Sequence, residues 1–101
     1  MHIITRKRLL EAAGRYPNAR VKLTFWHSVA KAAAWTNLIE TRKTFAHADQ
    51  VKVRSGRIVT IFNLANDYRL ITAIHYDRRK IFILRFLTHA EYSKATWQET
   101  L

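Results

Sequence analysis

The chain has 101 residues, with 18 Lys and Arg residues against seven Asp and Glu residues, and no cysteine. This length predicts a single domain over residues 1–101 with one hydrophobic core. The absence of cysteine excludes disulfide scaffolds, cysteine-based zinc sites and thiol nucleophiles. The net charge of +11 favours a polyanionic partner, and nucleic acid is the first candidate.

The distribution of apolar residues argues against a membrane protein. No apolar run approaches the roughly 18–20 residues that a membrane-spanning helix needs. At the N-terminus the apolar residues precede the basic run Arg6–Arg8, which is the reverse of a secretory signal. We therefore expect a cytoplasmic protein that makes no membrane contact.

The chain opens with the pattern of a short strand followed by a helix. Two β-branched residues in the segment His2–Ile4 suit a strand, and Thr5 is placed to cap a helix. Leu9, Ala13 and Tyr16 then recur on one helical face. These residues predict an amphipathic first helix over residues 6–16.

Two more helices are predicted before the pattern changes. Pro17 ends the first helix and can begin the second, which we expect to extend to about Ala33. The spacing of Asn37 and Glu40 is that of a capping box and predicts a short third helix over residues 38–44. The apolar stripe expected to be the buried face of the second helix consists of Val21, Phe25 and Val29, widened by Leu23 and Trp26.

From residue 55 to residue 88 the apolar residues alternate, which is typical of strands. Three strands are predicted, and the short polar links Ala65–Asp67 and Asp77–Arg79 make both connections hairpins. The predicted fold class is α+β, in which two or three N-terminal helices pack on one face of a twisted antiparallel β-sheet.

Strand alternation also predicts which side chains face away from the helices. The residues expected to face the helices are Phe62, Leu70, Ile74, Phe82, Leu84 and Phe86. The opposite face then carries Arg57, Asn63, Arg69, His75 and Arg85, whose guanidinium groups match phosphate oxygens. The alternatives are an ordinary solvated basic face, or a second packing layer on Ile61, Ile71 and Ile83.

The segment after the last strand holds the best candidate for acid–base chemistry. The imidazole of His89 can accept and donate a proton near neutral pH, and Tyr92 lies close to it in the chain. Thr88 and Glu91 have the spacing of a capping box, so this turn can also begin a C-terminal helix. Tyr92 and Trp97 are candidates for stacking on a base.

Neither a metal nor a cofactor is expected. The five histidines include no pair with the spacing of metal ligands. The seven acidic residues are spread singly among the basic ones, which favours ion pairs over a catalytic carboxylate dyad. Two glycines are too few for a phosphate-binding loop, so nucleotide hydrolysis is not expected either.

Several short motifs, taken in their order and spacing, resemble one family over nearly the whole chain. They are Met1–Thr5, Trp35–Leu38, Phe45–Asp49, Phe62–Leu64, Asn66–Ile71 and Thr88–Tyr92. In these motifs the sequence is similar to the HigB-type toxins of type II toxin–antitoxin systems, within the RelE-like superfamily of mRNA interferases. The resemblance implies a RelE/ParE-like fold.

The resemblance also implies an activity and partners. Such a toxin cleaves mRNA in the decoding site of the 70S ribosome and inhibits translation. A cognate helix-turn-helix antitoxin, HigA-like, neutralises it, and operator DNA is reached only through that antitoxin. One departure concerns the arginine that the family often has on its last strand, because Leu84 holds that position here and Arg85 follows it.

The expected reaction is RNA cleavage without a metal, in which the 2′-hydroxyl attacks the adjacent phosphorus and leaves a 2′,3′-cyclic phosphate. Arg69 is the predicted clamp on the phosphorane, His89 the proton donor or acceptor, and Tyr92 the residue that stacks on or orients a base. The predicted RNA-binding residues are Arg57, Asn63, His75, Lys80 and Arg85.

Two other functions remain open from the sequence, and so does the position of the antitoxin. The charge alone also suits a non-catalytic nucleic-acid- or ribosome-binding module, and the superfamily includes gyrase-directed ParE-like toxins. The antitoxin can cover the arginines of the proposed active face or dock elsewhere. We favour docking on the helical layer, whose basic residues are Arg6, Arg8, Arg15, Lys22 and Lys31.

Overall fold

One mixed sheet of five strands organises the computed structural model, which describes residues 1–101. The strands are β1 (His2–Ile4), β2 (Asp49–Lys52), β3 (Ile58–Leu64), β4 (Tyr68–His75) and β5 (Lys80–Thr88). Their order across the sheet is β1-β5-β4-β3-β2. The α+β class is confirmed, but the sheet is not purely antiparallel, because β1 joins the free edge of β5 in parallel. Three residues of sequence cannot specify their pairing partner, which is why alternation did not predict this edge.

Four α-helices accompany the sheet, and none is long and apolar enough to cross a membrane. They are α1 (Arg6–Arg15), α2 (Arg20–Ala32), α3 (Leu38–Thr44) and α4 (His89–Ser93). Pro17 begins a short 3-10 turn, so α2 starts three residues later than Pro17. The third helix is confirmed, and its cap is the predicted one, since Asn37 Oδ1 accepts the backbone N–H of Glu40 at 2.9 Å.

Thr5 occupies the N-cap position of α1 but does not cap it. Its backbone is left-handed, with φ 65°, and its side chain makes no capping hydrogen bond. The hydroxyl lies within donating distance of the backbone oxygens of Ile4 and Ile83. The predicted cap is therefore wrong, because a capping side chain accepts an N–H of the first helical turn from an extended backbone, and the backbone of Thr5 is left-handed.

The main core lies between the helices and one face of the sheet. From α2 it receives Leu23, Trp26 and Ala30, which are almost completely buried. The predicted stripe is wrong at its centre, because Val21 is 77% exposed and Phe25 is 62% exposed. The helix carries two apolar stripes. The buried one combines Leu23 and Trp26 with the small Ala30, which allows the helix to approach the sheet closely.

A β-bulge in β5 changes which of its residues face the helices. Ile71 pairs with Arg85 whereas Thr72 pairs with Ile83, so Leu84 is the additional residue. The bulge reverses the alternation. Ile83 consequently belongs to the main core, and Leu84 packs on the opposite face. The prediction that Phe82 and Leu84 face the helices is therefore wrong. Phe86, beyond the bulge, packs against the main core as expected.

The face of the sheet away from the helices is largely covered. A second cluster there contains Val53, Val59, Ile61, Ile71, Leu87 and Trp97. Trp97 comes from the C-terminal 3-10 turn Thr96–Thr100, which lies over the sheet. Arg54 Nη1 contacts the Glu99 carboxylate at 2.6 Å and helps to fix this segment. The alternative of a second packing layer is confirmed, apart from Ile83, which belongs to the main core.

Candidate functional site

Arg69 lies near the beginning of β4, beside the hairpin that joins β3 to β4. Its neighbour on β3 is Asn63, and its neighbour on β5 is Leu87. The side chain is partly exposed, and its Nη1 donates to the backbone oxygens of Asn66 at 3.3 Å and Tyr68 at 2.9 Å. Both of these hydrogen bonds use Nη1 alone. The other guanidinium donors therefore remain for an anion, and a guanidinium can hold a phosphate with two donors.

Tyr92 brings an aromatic ring to Arg69. The guanidinium carbon of Arg69 lies 5.8 Å from the centre of the ring, within cation–π range. The same ring stacks on the buried Trp97, with 5.4 Å between centroids and 18° between planes. Trp97 is therefore a support for Tyr92 and not a platform for a base. The predicted stacking role at Trp97 is wrong because its ring is only 5% exposed.

The capping box at the start of α4 positions Tyr92. The hydroxyl of Thr88 accepts the backbone N–H of Glu91 at 3.2 Å, and the Glu91 carboxylate accepts the Thr88 backbone N–H at 3.0 Å. The reciprocal cap predicted from the sequence is confirmed. It starts the helix directly after β5, and this places the aromatic side chain over the face that carries Arg69.

His89 connects this helix to the hairpin. Its backbone N–H donates to the backbone oxygen of Asp67 at 2.6 Å, which ties the start of α4 to the β3–β4 turn. The residue is exposed, so its imidazole is free to meet a ligand. The imidazole is not part of the pocket beside Arg69.

A shallow pocket of about 370 Å³ opens beside Arg69. Its lining is His47, Asn63, Ala65, Asn66 and Arg69. Sequence reasoning did not select His47 or Asn66 as site residues, although both lie within motifs that carry the family resemblance, Phe45–Asp49 and Asn66–Ile71.

Three predicted RNA-binding residues lie at the other end of the sheet. His75 pairs with Lys80 where β4 meets β5, and Arg57 immediately precedes β3. Six residues separate His75 from Arg69 along one strand, which corresponds to about 20 Å. The structure thus brings Asn63 and Arg69 together and separates Arg57, His75 and Lys80 from them. Alternation identifies a face, but it gives no position along that face.

Arg85 occupies a third place, next to helix α1. It lines a surface cleft of about 290 Å³ together with Arg8, Arg15 and neighbouring apolar side chains. Its Nη1 donates to the backbone oxygen of Leu84 at 2.9 Å. The bulge explains the position, because Leu84 and Arg85 together oppose the single residue Ile71 and the side chain reaches the edge of the sheet.

Metal ligation has no support in this arrangement. No group of three or more His, Asp or Glu side chains converges on one point. The chemistry available at the pocket is that of a guanidinium, two amides and an imidazole. These groups bind and polarise a phosphodiester and can move a proton.

Comparison with known proteins identifies the family. The sequence profile of the HigB toxins, RelE-like toxic components of toxin–antitoxin systems, matches residues 19–95. The chain is 31% identical over 96 residues to the mRNA interferase HigB of Escherichia coli O6:H1 (strain CFT073), an alignment that covers 95% of this chain and 92% of that protein. It is 27% identical over 93 residues to the mRNA interferase toxin HigB of Escherichia coli K12, covering 91% and 88%. The chain belongs to the HigB toxin family.

Proposed function

We propose that this chain is the toxin of a toxin–antitoxin pair and acts as an endoribonuclease that cleaves mRNA and so inhibits translation. The observation that carries the proposal is the positioned Arg69 guanidinium. It is held by two backbone oxygens and the Tyr92 ring at the edge of an exposed pocket. The relatives named mRNA interferase HigB support the same activity.

The proposed reaction is a transesterification within the RNA strand. The 2′-oxygen forms a bond to the adjacent phosphorus, the bond from phosphorus to the 5′-oxygen breaks, and the products are a 2′,3′-cyclic phosphate and a 5′-hydroxyl. Arg69 stabilises the negative charge that develops on the phosphorane, where removal of one such donor typically costs about 10²–10³ in rate. His89 transfers a proton, and Tyr92 orients a base.

The remaining predicted residues contact the RNA, one of them in the pocket and the others at two sites away from it. Asn63 lines the pocket itself and contacts the nucleotide there. Arg57, His75 and Lys80 hold the backbone at the far end of the sheet, about 20 Å from Arg69. Arg85 binds a phosphate in the cleft beside α1. Each is a contact for affinity, and none takes part in bond breaking.

The ribosome supplies the positioning that this small pocket lacks. A pocket of about 370 Å³ has room for one nucleotide and few contacts to fix its geometry. The net charge of +11 favours binding to ribosomal RNA. An mRNA held in the decoding site of the 70S ribosome is already oriented, and such orientation can lower the activation barrier by about 7–11 kcal/mol.

Primer extension on an mRNA incubated with the protein tests this function. New 5′ ends should form with translating ribosomes and not without them. Arg69→Ala and His89→Ala should each reduce cleavage, whereas Arg6→Ala on α1 removes one arginine and serves as the matched control. Cleavage that survives unchanged in both active-site variants contradicts the residue assignment. Salt-sensitive RNA binding without new ends indicates a binding module, and inhibition of gyrase indicates a ParE-like toxin.

The partner that fits the helical layer is an acidic antitoxin with apolar anchors. Val21 and Phe25 stand one turn apart on the outer side of α2 and are 77% and 62% exposed. The helix contains Arg20, Lys22 and Lys31 and no acidic residue. A second copy of this chain would repel that surface, whereas carboxylates around apolar side chains complement it. We propose that a HigA-like helix-turn-helix antitoxin docks there and alone provides contact with operator DNA.

Binding of the toxin to its purified antitoxin tests this docking surface. Val21→Ser with Phe25→Ser should weaken binding by about 30-fold or more, the loss of about 2 kcal/mol typical of an anchor residue. Ile39→Ser is the matched control, because Ile39 on α3 is equally exposed, at 70%. Arg69→Glu should abolish toxicity and keep antitoxin binding. Release of the antitoxin by Arg69→Glu alone would instead place the antitoxin over the active site.

A further inference from the structure

A row of polar side chains crosses the sheet at the level of Arg69. Arg69 pairs with Asn63 on β3, and β2 lies on the other side of β3, with its first paired residue, Asp49, two positions after His47. His47 itself lies in the turn before β2 and lines the same pocket as Asn63 and Arg69. His47 and Arg69 therefore stand on either side of Asn63.

The side of the sheet to which His47 belongs follows from its neighbour. Ala48 is 1% exposed and belongs to the main core with Phe62, on the helix-facing side. His47 is the next residue and is exposed, and it lines the pocket together with Asn63 and Arg69. The imidazole thus shares the face of the guanidinium although it comes from the turn between α3 and β2.

We propose that His47 is a proton-transfer residue of the cleavage reaction. This proposal rests on the endoribonuclease function proposed above. In transesterification one group removes the proton of the 2′-hydroxyl as the bond from the 2′-oxygen to phosphorus forms. A second group donates a proton to the 5′-oxygen as its bond to phosphorus breaks. These two oxygens lie on opposite sides of the phosphorus, so two groups are needed.

The structure separates the two candidates for these transfers in the required way. A phosphate held by Arg69 above Asn63 has His47 toward β2 and has α4, with His89 and Tyr92, toward β5. His47 is the only histidine among the residues that line the pocket. It performs one transfer, and a group on the α4 side performs the other.

Three variants measured on ribosome-bound mRNA test the proposal. His47→Gln removes the imidazole, His47→Arg supplies a permanent positive charge that cannot exchange a proton near neutral pH, and His27→Gln changes a histidine of α2 on the opposite layer. We expect both changes at His47 to reduce the single-turnover rate by about 10²-fold or more, the scale of general acid–base catalysis. The control should match the parent protein.

The dependence of the rate on pH provides the second readout. The parent protein should show a bell-shaped profile, and His47→Gln should lose one of its two limbs. A rate restored by His47→Arg overturns the proposal, because the role is then electrostatic. A reduced rate with both limbs retained also overturns it, as does a His47→Gln rate within twofold of the parent. A parent protein that cleaves no mRNA on ribosomes refutes the endoribonuclease function itself, so the two failures are distinguishable.

Discussion

The Arg69 guanidinium lies over the Tyr92 ring, with 5.8 Å from its central carbon to the ring centre. The two residues belong to different elements, β4 and α4, and 23 positions separate them in the chain. The same ring stacks on the buried Trp97, a member of the second hydrophobic cluster. The Arg69 guanidinium therefore contacts that cluster indirectly, through Tyr92. The position of the proposed catalytic cation therefore depends on the packing of the C-terminal segment.

Substitutions at Tyr92 should distinguish the contribution of the aromatic ring to the cleavage rate from that of its hydroxyl. Tyr92→Phe keeps the aromatic face and should retain most of the cleavage rate. Tyr92→Leu keeps apolar contact with Trp97 but removes the cation–π interaction with Arg69, worth about 0.5–2 kcal/mol. We expect Tyr92→Leu to lose roughly 2–30-fold in single-turnover rate. A Phe variant as defective as the Leu variant would show that the hydroxyl, and not the ring face, is what matters.

Truncation of Trp97 should affect both stability and activity. The side chain is 5% exposed, and its Nε1 donates to the backbone oxygen of Tyr92 at 3.0 Å. Trp97→Ala should lower the free energy of unfolding by about 3–5 kcal/mol, as large buried aromatics do. Urea unfolding measures this loss, and the milder Trp97→Phe is the comparison. A stability change below about 1 kcal/mol for Trp97→Ala would mean that the C-terminal turn does not cover the sheet in solution.

Replacement of Ala65 by glycine should stabilise the hairpin beside the pocket. Ala65 has a left-handed backbone, with φ 58°. This conformation costs a residue with a Cβ about 1–2 kcal/mol, whereas glycine adds about 0.4–1 kcal/mol of unfolded-state entropy. We expect Ala65→Gly to raise the free energy of unfolding by about 0.5–1 kcal/mol. Thermal unfolding tests it, with Ala13→Gly in helix α1 as a control that should destabilise.

His27 should make the stability depend on pH. Burial, together with the charges of Arg6 and Lys31, lowers the pKa of His27 from its ordinary 6.5. The unfolded chain therefore takes up this proton at a higher pH than the folded chain does. Consequently the free energy of unfolding falls as the pH drops below about 6.5 and levels off below the folded pKa.

His27→Gln isolates this contribution. The melting temperatures of the parent and the variant should be compared at about pH 7.5 and about pH 5.5, where the parent should lose more stability than the variant on acidification. His47→Gln is the control, because His47 is an exposed histidine in the turn before β2, away from Arg6 and Lys31. An identical loss in the parent and in His27→Gln would mean that the proton is taken up equally by both states.

Much of the fold follows from local patterns in the sequence. The alternation over residues 58–63 and 68–75 predicts two strands that the structure contains, and the short links between strands predict their antiparallel hairpins. The spacing of Asn37 and Glu40 predicts the cap of α3, and that of Thr88 and Glu91 predicts the cap of α4. These features depend on interactions within a few residues, which sequence spacing expresses directly.

The local pattern of apolar residues is insufficient to predict which face of α2 is buried. Two apolar stripes on this helix satisfy helical periodicity. One consists of Val21, Phe25 and Val29, and its regular spacing of four residues favours it from the sequence alone. The choice depends on which side chains fit against Phe62 of the sheet, and Trp26 meets that ring edge-on at 5.3 Å. Complementary shape between distant segments decides it, and this information is not present in the spacing of one helix.

The residues of the candidate site also fall into those that the sequence predicts and those that the fold places. Residue type and motif spacing are enough to select Arg69, His89 and Tyr92 as candidates, because they carry the chemistry and the family resemblance. The fold has to be known before His47 can be placed with Arg69 in the pocket, and before Arg57, His75 and Lys80 can be placed at the other end of the sheet. Residue type is a local property, whereas position across and along a sheet depends on strand order, register and a single bulge in β5.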